Sequence, residues 1–209
     1  MNPNWAEENL QAIRTLMERS AVYRRALAPI MLFAGILGVA AAAIGLLCHL
    51  DSARQFGGLW LGTAVLAAAG ALLIARQQAF KDNESFWSPP TRRVTQALWP
   101  PLLAGMFLSL LPIFIGGGDA PSDFNLFATL IWILFYGCAL HAAGFFMPRG
   151  VKYFGLLFIS FSCGLFYMSF ANVIPTDISA HWLMGLFFGV LHLAYGAYLY
   201  LTEKKNPVA

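Results

Sequence analysis

The sequence predicts an all-α polytopic membrane protein, with six transmembrane helices preceded by an amphipathic N-terminal helix. Three observations predict it. Of the 209 residues, 59% are hydrophobic and only 11% are charged, whereas a soluble domain carries about 25% charge. The charges are gathered into short stretches between long uncharged ones. Those uncharged runs are apolar on every side and do not alternate every second residue, as the strands of a transmembrane barrel do.

Six runs approach the roughly 20 residues that a bilayer core requires. They cover residues 26–49, 58–75, 94–115, 124–147, 151–172 and 182–201. None holds Asp, Glu, Lys or Arg, apart from Lys152 at a boundary. Orientation follows from the basic residues between the runs. Arg14, Arg19, Arg24, Arg25, Arg76, Lys81, Arg92, Arg93, Arg149, Lys152, Lys204 and Lys205 fall on one side, and Arg54 alone falls on the other. The positive-inside rule therefore predicts cytoplasmic N and C termini. An even number of spans agrees with this.

Residues 1–25 form the first unit. Pro3 or Asn4 can start a helix, and Glu7 and Glu8 suit its first turn. Leu10, Ile13, Met17 and Ala21 then recur at helical spacing, with Arg14, Glu18 and Arg25 mainly on other faces. This predicts a short amphipathic helix at the cytoplasmic membrane surface. About 25 mostly polar residues before the first span do not look like a cleavable signal. Residues 26–201 form the transmembrane domain, and 202–209 a cytoplasmic tail.

In the second cytoplasmic loop, "SFWSPPTRR" lets Ser88 cap a helix with Pro89 and Pro90 in its first turn. Pro100 and Pro101 are expected to bend the chain at the start of the third span. "RRALAP" at 24–29 and "RRVTQALWPP" at 92–101 begin two odd-numbered spans alike, which hints at three related helical hairpins.

The net charge of +3 is modest, and topology already accounts for the basic residues. Nucleic acid is therefore not an expected partner. The expected partners are the bilayer itself, anionic headgroups at the cytoplasmic Arg and Lys, and a membrane protein or second copy of the chain. Cys48, Cys138 and Cys163 lie within or at the ends of apolar runs, without a C-x-x-C pair. They read as small hydrophobes, not as a disulfide framework or metal site.

The candidate site lies inside the spans. Gly185, Gly189, His192 and Gly196 are spaced 4, 3 and 4 residues apart and share one helix face. Glycine permits close approach of a neighbouring membrane helix, so His192 is expected in a packing seam and not against lipid. Gly137, His141 and Gly144 repeat the pattern in the fourth span. By the 1.5 Å rise, His192 sits roughly 16 Å from the cytoplasmic end, and Ser162 and Tyr136 lie at similar depth. The expected polar cluster is His192, Ser162, Tyr136, Tyr195 and His141, with His192 hydrogen-bonded to Ser162 or Tyr136.

Two intramembrane histidines also admit a haem ligand pair through His141 and His192, or a proton relay. Against this, no span holds a carboxylate, and no H-x-x-x-H or H-E-x-x-H spacing occurs. G-x-S-x-G, P-loop and dinucleotide motifs are missing too. "GGGD" at 116–119 lacks the strand–helix context of a phosphate cradle. No catalytic or metal-binding residue is assigned, and no cofactor is expected.

"IRTLMERSAVY" (13–23), "FWSPPTRR" (86–93), "LFYGCAL" (134–140) and "FFGVLHLAYG" (187–196) carry a resemblance that runs through most of the chain. They resemble a family of bacterial integral membrane proteins with six predicted spans, often encoded beside a small winged-helix regulator. The resemblance implies a six-span inner-membrane fold and no assigned activity. Some members carry a carotenoid-oxygenase label. That enzyme class uses four histidines around iron on a propeller, whereas His49 and His181 here are predicted on the opposite side from the cytoplasm. The expected role is a non-catalytic regulatory or accessory membrane component acting through helix contacts. The first rival is a small transporter or channel for a weakly polar solute, its cavity lined by His192, Ser162, Tyr136 and Tyr195. The second is a haem- or quinone-linked redox protein.

Overall fold

The computed structural model describes residues 26–81, 83, 86–115, 124–171, 173 and 179–205. The expected N-terminal helix over 1–25 lies outside the described residues. Among those described, all regular structure is helical. Helix α1 is Ala26–Leu47, α2 is Ala53–Lys81, α3 is Pro89–Ile115, α4 is Phe124–Ala143 and α5 is Arg149–Phe170. The last helix, α6, runs over 180–205 as three joined pieces, Ala180–Met184, Gly185–Val190 and Leu191–Lys205. Five helices, all but α3, are long and apolar enough by themselves to cross a membrane, which marks a multi-pass membrane protein.

The helix limits differ from the apolar runs for local reasons. Helix α1 stops because His49 takes a left-handed conformation (φ 50°), and Leu50 N–H then reaches back to the Gly45 carbonyl at 3.0 Å. This six-to-one closure satisfies a carbonyl that the helix end would leave orphaned. Helix α2 starts three residues later, at Ala53. Ser52 accepts from the Gln55 backbone N–H at 3.3 Å as the N-cap, and its hydroxyl donates to the Gln55 side chain at 2.8 Å. At 29 residues α2 extends well beyond the apolar run 58–75 and spans about 43 Å, more than the hydrocarbon core of roughly 30 Å.

Helix α3 begins at Pro89, as the Ser88-Pro-Pro signal predicts, with Ser88 Oγ 3.0 Å from Thr91 Oγ1. The helix runs unbroken through Pro100 and Pro101, although neither proline has an N–H to donate to the preceding turn. Helix α4 ends at Ala143, short of the predicted Met147. Gly144, Phe145 and Phe146 close tight turns onto Leu140, Ala142 and Ala143, and Pro148 then opens α5. Helix α6 continues through 202–205, residues that the sequence reading gives to a tail.

Packing is organised by glycine. On α1, Gly35 and Gly38 face Leu193, Phe188 and Gly189 of α6. From the other side, Gly185, Gly189 and Gly196 of α6 face Ala42, Val39 and Leu32 of α1. The two helices thus run antiparallel along a shared small-residue seam. A second seam joins α4 to α5, where Gly137, Gly144 and Gly155 each lie against the opposing backbone. Helix α5 meets α6 mainly through rings, including Phe158 on Phe187 at 5.2 Å and Phe154 on Tyr195 at 4.7 Å.

Buried apolar residues form two clusters. One gathers Leu27, Met31, Ile133, Leu140, Phe154, Phe158 and Phe187. The other gathers Ala41, Ala42, Phe56, Trp60, Phe124, Ala128 and Met184 beside the α1–α2 turn. Helix α2 is peripheral: only 6% of its apolar span is buried, against 50% for α4. Cys48, Cys138 and Cys163 are all free.

Candidate functional site

The stretch "GLFFGV" is a π-helical turn, Gly185–Val190, inside α6. Hydrogen bonds here run from residue i+5, as Leu191 N–H does to the Leu186 carbonyl. Such a turn is rare and leaves a carbonyl without its ordinary partner. The side chain of His192 fills that gap. Its Nδ1 lies 2.9 Å from the Phe187 carbonyl, five residues earlier.

A carbonyl only accepts, so Nδ1 carries the proton. In the neutral ring Nε2 is then an acceptor, and the Tyr136 hydroxyl on α4 donates to it at 2.7 Å. Of the two partners that depth allows, Tyr136 is the one that meets His192. Ser162 is fully buried on α5, but its hydroxyl donates to the Leu130 carbonyl of α4 at 2.8 Å. Depth along a helix fixes height, not azimuth, and Ser162 turns toward α4.

His192 is 1% exposed and enclosed by rings. Phe154, Tyr136, Phe158 and Phe188 have centroids 5.3, 5.4, 5.7 and 6.1 Å from the imidazole. This differs from the expectation that His192 shares its face with Gly185, Gly189 and Gly196. The glycines face α1, while the imidazole faces α4 and α5. Gly196 follows the same π turn and still faces α1, so helical spacing groups these positions coarsely without fixing where the long imidazole reaches.

The remaining predicted residues sit apart from this bond. Tyr195 stacks on Phe154, with ring planes 17° apart, and its enclosed hydroxyl has no partner among the described residues. That hydroxyl lies over Gly150 at the start of α5. His141 belongs to the last turn of α4. Its Nδ1 donates to the Lys152 carbonyl at 3.2 Å, and its ring meets Phe145 edge-on at 5.5 Å. His141 and His192 share no hydrogen-bond partner. Both nitrogens of His192 are engaged, so a metal at Nε2 would have to displace Tyr136.

Sequence reasoning missed two features. The π turn has no readable signal beyond the glycines that flank "LFF". The second is the burial of His181, a residue expected on the side opposite the cytoplasm and 1% exposed. Its Nδ1 accepts from the Trp60 indole N–H at 3.1 Å, and its Nε2–H donates to the Leu50 carbonyl at 3.2 Å. The Trp60 partner lies 121 residues away, which no local pattern reveals.

A void of about 10 Å³, room for roughly one water, lies between α2, α3 and α4. Phe56, Trp60, Ser109, Phe124, Ala128 and Trp132 are among its lining residues, and the His192 cluster is not. Compared with known proteins, the chain matches no family model, no curated protein and no solved structure.

Proposed function

We propose that the protein is a non-catalytic regulatory or accessory component of a bacterial inner membrane. In this reading it has six spans and cytoplasmic N and C termini. Helix α3 supplies the sixth span. Its 27 residues rise about 40 Å, and Trp87 and Trp99 are exposed near its start, where aromatic side chains favour the interface.

One observation carries the functional reading: the polar centre of the bundle is closed. His192 spends both nitrogens on protein partners, and four aromatic rings fill the space around it. Among the described residues, neither nitrogen of His192 is left for a solute to bind. The glycine faces of α4 and α6 are consumed by packing within the chain. What remains for other molecules is the outer surface, above all α2, where Gly58 and Gly62 have nothing within 4 Å. Helix-to-helix contact is the chemistry that such a surface offers.

Cysteine accessibility tests closure. In a background with Cys48, Cys138 and Cys163 replaced by Ala, Ser162→Cys and Tyr195→Cys are reacted with a membrane-impermeant thiol reagent from each side. Both are expected to stay unlabelled, while Asp51→Cys in the exposed turn labels fully. Labelling of the two interior positions from either side would replace this reading with the transporter or channel.

A further inference from the structure

The second buried histidine sits where it can control α2. Four residues of α2 are buried, and three of them, Ala53, Phe56 and Trp60, lie at its first two turns. All three belong to the cluster beside His181. The Phe56 ring lies 4.9 Å from the imidazole, and Trp60 stacks on it at 6.3 Å. The same ring reaches the α1–α2 turn, because the left-handed His49 turns the Leu50 carbonyl toward α6. Asn125 of α4 holds the adjacent Asp51 carbonyl at 2.6 Å. Gly45 of α1 has no side chain to collide with the His181 ring. One imidazole therefore ties α2, α6 and the α1–α2 turn together.

The bond to Trp60 exists in only one protonation state. An indole has a donor and no acceptor, so His181 Nδ1 must offer a lone pair. A protonated imidazole has N–H on both nitrogens, and two donors would face each other at 3.1 Å. Protonation leaves the Leu50 bond intact and destroys the Trp60 bond.

We propose that His181 and Trp60 form an acid-released latch that holds the first turns of α2 against the bundle. The latch is closed with neutral His181 and opens when that ring gains a second proton. The charged and titratable groups on the adjoining elements are few. Cys48, His49 and Asp51 sit in the exposed turn and Arg54 in the first turn of α2, whereas among the described residues neither Phe124–Ala143 nor Ala180–Met184 brings another to that end. Asp119, Asp123 and Asp177 lie outside the described residues. Because α2 has little other burial, loss of this bond frees it to move away from α4 and α6. The latch is independent of the accessory role.

The test uses the full chain in nanodiscs with ¹⁵N-labelled tryptophan, compared between about pH 8 and about pH 5, the range over which histidine titrates. The Trp60 indole resonance, assigned by its loss in Trp60→Phe, is expected at a hydrogen-bonded position at high pH and at a free position at low pH. Spin labels at Leu66 and Tyr167, both outward-facing, are expected to give a narrow distance distribution that broadens on acidification. His181→Gln offers an acceptor to Trp60 and a donor to Leu50 without titrating, so it is expected to abolish both responses. An unmoved Trp60 resonance in the parent protein would overturn the latch. So would a pH response that survives in His181→Gln.

Discussion

His192→Ala is expected to destabilise the folded protein by about 3 to 5 kcal/mol, read as the shift in unfolding midpoint in mild detergent. Two effects combine. The substitution empties a fully enclosed space between Phe154, Phe158, Tyr136 and Phe188, and a bundle joined along two glycine seams has little freedom to collapse into it. It also leaves the Phe187 carbonyl of the π turn and the Tyr136 hydroxyl without partners in an apolar interior. Tyr136→Phe removes only the hydroxyl and orphans only Nε2, so it is expected to cost about 0.6 to 2 kcal/mol, the range for hydrogen bonds within membrane bundles. Once His192 is Leu, Tyr136→Phe should cost less than it does alone, since no acceptor is then left behind. A double-mutant cycle that showed simple additivity would deny the bond.

Gly137→Leu is expected to prevent α4 and α5 from docking. A Cβ at Gly137 would come within 2.8 Å of the Phe158 Cβ and 2.9 Å of both the Gly155 carbonyl and the Ile159 nitrogen. Two of those atoms are backbone, which cannot swing aside, so the helices must separate. Overpacking of ordinary cores costs about 1 to 3 kcal/mol, and a backbone obstacle places this case at or above that range. The matched control is Gly164→Leu on α5. Gly164 has nothing within 4 Å, so its substitution is expected to change stability by no more than about 0.5 kcal/mol. Thermal unfolding of the two variants side by side checks the contrast.

The contrast between these glycines also explains what could be read from the sequence. Apolar runs were legible because a bilayer imposes length and composition on any helix that crosses it. Helix ends were less so. The predicted overrun to Met147 ignored how close Gly144 brings Lys152 and how Pro148 starts a new helix. The glycine rows at 185–196 and 137–144 correctly marked surfaces of close approach. They did not say which helix approaches, and Gly58 and Gly62 are glycines of the same spacing whose added Cβ would meet nothing within 4 Å among the described residues. Ser162 and Tyr136 looked equivalent because rise alone fixes depth. Only the fold shows that Ser162 turns to Leu130 while Tyr136 turns to His192. The π turn and the His181–Trp60 pair lay beyond sequence reasoning, since one is a change of helical pitch and the other a contact across most of the chain.

The account stands on His192 being a closed, neutral link between the π turn and α4. Solid-state NMR of ¹⁵N-histidine-labelled protein in bilayers reads that link directly, because the chain has only four histidines. The expected His192 spectrum has a protonated Nδ1 and an unprotonated Nε2, with a close contact from Nε2 to the Tyr136 hydroxyl proton. A protonated Nε2, or an Nε2 whose nearest neighbour is water, iron or another non-protein group, would contradict it.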